Sequence, residues 1–346
     1  MDEKGFARFC KISKRLRRHL DDKGIADNIA VVKEFESFLR KNRKRRSTGT
    51  ATEADVEAYS EHLIKSGKNT WDTYISLLRY ARFLDARKVE LSILNRLDGV
   101  NVLPDLSNTL KKRVGARRQA EILGGLEFPS LGSSNTSWPV ITKQFMERLE
   151  GNLTQKRCRS LLLTGPHAGP PEDYKHEREL FLKSNDLDDF LRKRHRRSIK
   201  TLETHMKEKT LFYTQEIDRD VLEFVKGNQE IMGGVRAGDV IYETKIPYMT
   251  REYLAERDTK MKRYYGCHCP WARESILSGV NIPSDFCYCS AGYHKRPWDV
   301  VFGQPVWVDV EQSILEGDPI CRFSIRIPKE YSKPPAKMKR RRGANR

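Results

Sequence analysis

Apolar residues recur every three or four positions through the first ninety residues, which is the period of a helix with one buried face. One such stripe contains Val31, Val32, Phe35, Phe38 and Leu39. Two segments near the C-terminus instead alternate apolar and polar positions, as half-buried strands do. Their apolar members are Val306, Val308 and Val310, then Cys321, Phe323, Ile325 and Ile327. The pattern predicts an all-α N-terminal bundle followed by an α+β domain with a small antiparallel sheet.

Capping residues divide the N-terminal region into separate helices. Thr52, with Asp55 three residues later, has the spacing of a capping box. Gly67 can adopt the positive φ that a helix C-cap requires. Asn69 or Thr70 is then placed to begin a longer helix. We therefore predict three helices between residues 25 and 90.

The middle of the chain is predicted to be a connector followed by charged helices. Residues 98–137 are rich in Gly, Ser, Asn and Pro, which predicts a connector with some helix in it. We interpret its basic insert, Lys111 to Arg118, as a solvated linker rather than a phosphate-facing patch. The cations from Arg192 to Arg197 are typical of a solvated helix face. Met232 to Asp239 matches neither a Walker A loop nor a dinucleotide fingerprint, so we predict a turn there.

Composition places the chain among soluble, basic proteins. It has 346 residues, 38% of them apolar, and no apolar run approaches the length of about eighteen residues that indicates a membrane span. The N-terminus lacks the apolar core of a secretory signal. Seven cysteines are an odd number and too few for a disulfide scaffold, which favours a reducing compartment. We expect a cytoplasmic protein without a membrane partner.

A net charge of +18 predicts attraction to polyanions such as nucleic acid. Residues 1–50 contain fifteen Lys and Arg against seven Asp and Glu, and the last fourteen residues contain seven basic groups and no acid. We predict that residues 329–346 form a disordered basic tail.

The N-terminal helices also resemble a known DNA-binding domain. The runs VVKEFESFLRKN and TEADVEAYSEHLIKSGKNTWDTYISLLRYARFL are similar to the SAM-like core-binding domain of tyrosine recombinases and integrases. The resemblance covers roughly residues 25–90 and implies that the domain clamps duplex DNA through cations near its helix starts. The candidate phosphate contacts are Lys11, Lys14, Arg15, Arg17, Arg18, Arg43, Lys44, Arg45, Arg46 and Lys68.

The catalytic half of that family is missing from the chain. It requires a His-x-x-Arg box, and none of the eight histidines is followed by arginine at the third position. Where the family's first arginine is expected, the chain has Pro166-His167. We do not expect strand-exchange activity.

Four of the seven cysteines form two Cys-x-Cys pairs, Cys267/Cys269 and Cys287/Cys289. In extended backbone such a pair projects both sulfurs to one side, so the two pairs could supply four ligands to Zn or an Fe–S cluster. Alternatively, one thiol is a nucleophile activated by neighbouring cations or by the helix start that Pro270 predicts directly after Cys269. A third hypothesis is that the thiols are buried structural residues, with Cys287-Tyr288-Cys289 forming a strand. The acid–base or supporting candidates are His268, Arg273 and His294.

Three blocks of the C-terminal region resemble a second group of proteins. CHCPWARESI, FCYCSAGYHKRPW and SILEGDPICRFSIRIP recur in a prokaryotic family of unknown function. The last block is similar to the end of 4-vinyl reductase-like and thiazoline-carboxylate hydrolase-like domains. That resemblance implies an α/β domain closed over a small-molecule pocket.

Together these observations predict four segments. They are a helical DNA-binding domain at 1–97, a connector at 98–137, a Cys-rich α+β domain at 138–328 and the basic tail at 329–346. The leading hypothesis is a DNA-associated protein whose C-terminal domain senses a metal, redox state or small ligand. The alternatives are a thiol- or metal-dependent hydrolase or reductase acting on a small molecule, and a non-catalytic adaptor.

Overall fold

The computed structural model describes residues 1–16, 18–42 and 47–332. The chain divides into two units. The first comprises Met1–Val100 with Glu127–Trp138, and the second comprises Asn101–Leu126 with the chain from Pro139 onward. The segment predicted as a connector is thus shared between them. Within the described ranges, no helix combines the length and apolar character needed to cross a membrane.

The first unit is all-helical, as the apolar period predicts. Its helices are α1 (Glu3–Ile12), α2 (Asp22–Asn42), α3 (Glu53–Lys65), α4 (Trp71–Phe83) and α5 (Arg87–Leu97). The predicted capping box is confirmed, because the Asp55 carboxylate accepts a hydrogen bond from the Thr52 backbone N–H at 2.8 Å. Gly67 has a φ of 67° after α3, and Thr70 caps α4.

Two apolar clusters hold the first unit together. The larger joins α2 to α5 and contains Phe35, Leu39, Tyr59, Tyr74 and Ile93. The smaller packs α1 against α2 and α4 through Phe6, Cys10, Ile25, Val32 and Tyr80. The predicted helical stripe of α2 therefore faces both clusters.

The second unit combines twelve helices of the described chain with one sheet. The helices are α6 (Val102–Val114), α7 (Ala116–Leu123), α8 (Trp138–Glu150), α9 (Gln155–Leu162), α10 (Lys175–Leu182), α11 (Leu187–Glu208), α12 (Arg219–Lys226), α13 (Thr250–Ala255), α14 (Thr259–Gly266), α15 (Pro270–Ser278), α16 (Tyr288–Phe302) and α17 (Lys329–Ser332). Residues 101–126 contribute α6 and α7 and so are not only a linker.

The sheet is antiparallel, with the order β1-β2-β4-β3. Its strands are β1 (Val235–Ala237), β2 (Val240–Thr244), β3 (Val308–Gln312) and β4 (Arg322–Arg326). Ile241 lies opposite Ile325 and Glu243 lies opposite Phe323, so these four share the inward face. One carboxylate therefore interrupts an otherwise apolar face.

Two predictions about this unit need correction. The segment Met232 to Asp239, predicted as a turn, contains β1, and only Gly238-Asp239 forms the two-residue loop to β2. Gly238 has a φ of 63°, which suits the first central position of a tight hairpin turn. The predicted tail begins with α17, whose Tyr331 packs edge-on against Phe181. Residues 333–346 lie outside the described residues.

Candidate functional site

The second cysteine pair lies at the start of a helix. Ser284–Cys287 is a short 3-10 helix that leads directly into α16. The strand predicted for Cys287-Tyr288-Cys289 is therefore wrong. Buried residues from Phe286 to Phe302 recur at helical spacing, and this longer pattern outweighs the local alternation.

The helical backbone sends the two thiols of this pair in different directions. Residues two apart on a helix are separated by about 200° around its axis. Accordingly, Cys287 Sγ accepts a hydrogen bond from Ser313 Oγ at 3.0 Å. Cys289 Sγ lies 3.6 Å from His167 Nδ1. The pair does not present both sulfurs to one ligand.

The first cysteine pair lies in the extended link between α14 and α15. Cys267 and Cys269 both have β-type backbone angles. Pro270 occupies the first turn of α15, which confirms the predicted helix start. Between the cysteines, His268 Nε2 donates to the carbonyl of Ile246. That bond anchors the link beside the strand end of β2.

Five thiols of the second unit form one cluster: Cys267, Cys269, Cys287, Cys289 and Cys321. Each interacts electrostatically with at least one other, and Cys289 does so with Cys269. Burial raises the pKa of Cys267, Cys269 and Cys289 to about 12 each. The charges of Cys269 and Cys321 add to the rise at Cys267. At neutral pH these groups are thiols, so nucleophilic reaction requires a base.

Lys245 lies beside the thiol cluster and contacts residues next to β4 and on α16. It follows β2, its backbone N–H donates to the Cys321 carbonyl at 2.9 Å, and its Nζ donates to Ser290 Oγ at 2.8 Å. The Nζ also lies 5.6 Å from the centre of the Tyr293 ring. No carboxylate of the described residues forms an ion pair with it.

Lys245 and burial together keep the surrounding histidines neutral. Burial is the main cause of the lowered pKa of His268 and His294, and the charge of Lys245 adds to it. The pKa of His167 is also lowered by its packed surroundings and by Lys245, but the residue keeps substantial contact with solvent. Conversely, the Lys245 charge favours thiolate at Cys289, although burial outweighs it. The site therefore holds a fixed cation among neutral imidazoles and thiols.

Two glycines bring His167 to Cys289. Gly165, with a φ of 55°, turns the chain after α9, and a Cβ there would lie 2.5 Å from the Gly292 carbonyl carbon. A Cβ on Gly292 would lie 2.7 Å from Gly165 N. Gly292 is three residues after Cys289 and shares its helix face. The close backbone contact of Gly165 with α16 thus sets the position of His167.

Tyr293 packs against the His167 side of this pair, while His167 itself is exposed to solvent. The Tyr293 ring stacks on that of His167 at 5.4 Å between centroids and 8° between planes. Its hydroxyl is 3.0 Å from the hydroxyl of Tyr213, whose exposed fraction is 66%. The cluster approaches the surface on this side.

Arg194, Glu243 and His294 form a buried chain next to Lys245. Glu243 accepts from Arg194 Nη1 through one oxygen and from His294 Nδ1 at 2.7 Å through the other. The His294 ring lies 4.4 Å from the Phe323 ring. Arg194 belongs to the cation run predicted as a solvated face, but its side chain is only 14% exposed.

Arg273, a predicted supporting residue, is buried on the other side of the first cysteine pair. Its guanidinium lies over the rings of Tyr248 at 4.3 Å and Tyr264 at 5.4 Å. Its charge partly offsets the effect of burial on the Cys267 thiol. Arg273 is thus a second buried cation near the thiols.

The predicted metal site is not formed by the described side chains. Across residues 1–16, 18–42 and 47–332, no three His, Cys, Asp or Glu side chains are arranged to hold a metal ion. Zn or an Fe–S cluster stays a prediction. Stoichiometric metal in the purified protein, lost in Cys287→Ser, would support it.

The predicted phosphate contacts lie in the first unit, and three of them pair with acids of that unit. Lys11 Nζ is 2.6 Å from Asp22, Arg15 Nη2 is 3.1 Å from Asp85 and Lys68 Nζ is 3.0 Å from Glu34. Lys14 and Arg18 are exposed. Arg17, Arg43, Lys44, Arg45 and Arg46 lie outside the described residues.

Sequence reasoning missed Lys245, Glu243, Arg194 and His167 as site residues. A signal for two of them exists, because Ile241, Glu243 and Lys245 alternate at strand period. Charges at inward positions of a strand are rare unless they are paired or functional. Arg194 and His167 carry no such local signal.

Comparisons of the chain with family models, curated proteins and solved structures found no match. The two resemblances drawn from the sequence therefore stay predictions.

Proposed function

We propose that the second unit binds a small anionic molecule beside Lys245 and hydrolyses it through the thiol of Cys289, with His167 as the base. The observation that carries this proposal is the 3.6 Å contact between Cys289 Sγ and His167 Nδ1 next to an ammonium group. A thiol beside an imidazole is the arrangement that activates a cysteine nucleophile.

The charge of the site favours an anion. The thiols and histidines are neutral, and the Glu243 charge is balanced by Arg194. Lys245 is left as a cation without a carboxylate partner among the described residues. A partly buried charge is stabilised when it is paired, so an anionic ligand complements Lys245. A metal cation at the same place would be repelled.

The position of Cys289 supports its role as nucleophile. It is the second residue of α16, where the partial positive charge of a helix start favours thiolate. In hydrolysis, Cys289 Sγ bonds to the carbonyl carbon of the ligand while its proton passes to His167 Nδ1. His167 returns the proton to the leaving group, and water then cleaves the thioester to restore the thiol.

Site-specific alkylation of the full chain tests this proposal. Iodoacetate and iodoacetamide differ chiefly in charge, and the rate for each at Cys289 is measured by mass spectrometry and divided by its rate with glutathione. Two unit charges in contact at about 4 Å interact by roughly 4 kcal/mol at an effective dielectric of about 20. We expect Cys289 to favour iodoacetate by at least about tenfold, since this interaction exceeds the roughly 1.4 kcal/mol that a tenfold change requires.

The preference should disappear in Lys245→Met. Lys295→Met is the matched control, because Lys295 lies on α16 but is paired with Asp299. His167→Phe should slow both reagents at Cys289, since the base is lost. Equal reagent preference in the wild type and Lys245→Met would contradict the anion site, and unchanged rates in His167→Phe would contradict the base.

We also propose a second function, association of the first unit with duplex DNA. What supports it is the set of exposed cations at the end of α1 and after it, Lys11, Lys14, Arg15 and Arg18. Their surface ion pairs are worth only about 0–1 kcal/mol, so phosphates can compete with Asp22 and Asp85.

Duplex binding by the full chain is measured by fluorescence anisotropy at several salt concentrations. Changing Lys11, Lys14, Arg15 and Arg18 to Gln should weaken binding and flatten the salt dependence, because fewer counterions are released. The control changes four exposed cations of the second unit to Gln: Lys183, Lys207, Arg219 and Arg257. Equal effects of the two variants would show that charge, not this surface, determines binding.

A further inference from the structure

His294 has a buried ring nitrogen without a hydrogen-bond partner. Its Nε2 is shielded from solvent, and no described residue bonds to it. The other ring nitrogen, Nδ1, is 2.7 Å from Glu243 Oε2. Buried polar atoms are nearly always paired, so an unpaired one beside a proposed site is a candidate contact for a ligand.

The partners of His294 determine which nitrogen carries the proton. Burial alone would raise the pKa of Glu243, but the charge of Arg194 and the hydrogen bond from His294 outweigh it and lower the pKa to about 2. An ionised carboxylate only accepts hydrogen bonds, so Nδ1 must donate. Burial lowers the pKa of His294, which keeps the ring neutral. Nε2 therefore presents a lone pair.

The orientation of the ring is fixed from several sides. It packs against Phe323 at 4.4 Å and edge-on against Tyr293 at 5.9 Å. Glu243 is held in turn by Arg194, which lies over the Trp298 ring at 5.1 Å. Rotating the ring to find another partner would break the Glu243 contact.

Nε2 belongs to the same site as Lys245 and His167. The Tyr293 ring joins the three, because its centre lies 5.4 Å from that of His167, 5.9 Å from that of His294 and 5.6 Å from Lys245 Nζ. We propose that His294 Nε2 accepts a hydrogen bond from the bound anion, which therefore carries an N–H or O–H donor close to its charge. Glu243 and Arg194 are positioning residues that hold His294 in the accepting tautomer. This inference rests on the proposed anion site.

A matched pair of probe anions tests it. Glycolate carries an O–H donor next to its carboxylate, and fluoroacetate has fluorine in that place. Each is used to protect Cys289 of the full chain from the neutral reagent iodoacetamide, with alkylation followed by mass spectrometry. We expect glycolate to protect Cys289 at a concentration at least about tenfold lower than fluoroacetate does. One hydrogen bond to a buried acceptor contributes a difference in affinity of about this size.

Variants separate this inference from the proposed function. In His294→Phe the two anions should protect equally, while in Lys245→Met neither should protect. Equal protection in the wild type overturns the role of His294 and leaves the anion site standing. Failure of both anions in the wild type overturns the anion site and this inference with it.

A measurement on the wild-type chain does not depend on how the variants fold. Nitrogen-15 NMR of labelled histidines distinguishes a protonated Nδ1 from a protonated Nε2. His294 should show the proton on Nδ1, and its Nε2 signal should shift with glycolate but not with fluoroacetate. A proton on Nε2, or a shift of equal size with both anions, would contradict the proposal.

Discussion

Glu243 is an inward-facing carboxylate, and its hydrogen-bond partners offset the free-energy cost of burying its charge. Its side chain is 4% exposed, and its two oxygens accept from Arg194 and His294. Removing one partner of a buried ion pair typically costs about 3–5 kcal/mol, because the remaining charge is left uncompensated. Glu177, 3.5 Å from Arg194 Nε, offsets part of that loss.

We predict that Glu243→Gln lowers the free energy of unfolding by about 2–4 kcal/mol, measured by denaturant titration. The control is Glu230→Gln on the outer side of the same sheet, where Glu230 pairs with Arg322 at 2.7 Å but is 19% exposed. That change should cost less than about 1 kcal/mol. Similar losses in the two variants would argue against a special role for the buried pair.

The loop after α9 contacts helix α16 through two glycines, Gly165 and Gly292. This close packing of a loop on a helix brings His167 next to Cys289. A Cβ on Gly292 would meet Leu163 O at 2.8 Å and Gly165 N at 2.7 Å. These are backbone atoms, so the loop must move as a whole.

We predict that Gly292→Ala destabilises the second unit by about 1–3 kcal/mol, the usual range for overpacking. It should also move His167 away from Cys289 and slow alkylation there. Gly227→Ala is the control, because a Cβ at Gly227 meets only ordinary contacts of 3.4 and 3.7 Å. Full stability in Gly292→Ala would show that the loop adapts without cost.

The elements that the sequence predicts well are those determined by neighbouring residues. The helix boundaries at Thr52, Gly67 and Pro270 follow from local capping chemistry. The β1–β2 hairpin was not predicted because Glu243 breaks the apolar alternation that identifies a strand. The His167–Cys289 contact joins residues 122 positions apart. No local pattern encodes such a contact.

The whole second unit is sensitive to acid because it holds two partly buried histidines in neutral form. The pKa values of His268 and His294 both lie below the ordinary value of 6.5, mainly through burial. Below pH 6.5 the unfolded chain binds protons that the folded chain does not, so unfolding is favoured as pH falls. The stabilisation is complete above pH 6.5.

We predict that the free energy of unfolding falls steeply between pH 6.5 and 5. Two extra protons on the unfolded chain correspond to a slope of at most about 3 kcal/mol per pH unit. Glu243 adds a further loss only between about pH 4.5 and its folded pKa of about 2.

The measurement is the denaturant midpoint of the full chain at each pH, followed by near-ultraviolet circular dichroism. His268→Gln should reduce the slope by up to about one half, since one of two proton-binding differences is lost. His176→Gln should leave it unchanged, because the His176 side chain is 58% exposed. Equal midpoints at pH 7 and pH 5.5 would mean that these histidines are protonated in the folded protein. The site would then carry more positive charge than Lys245 supplies.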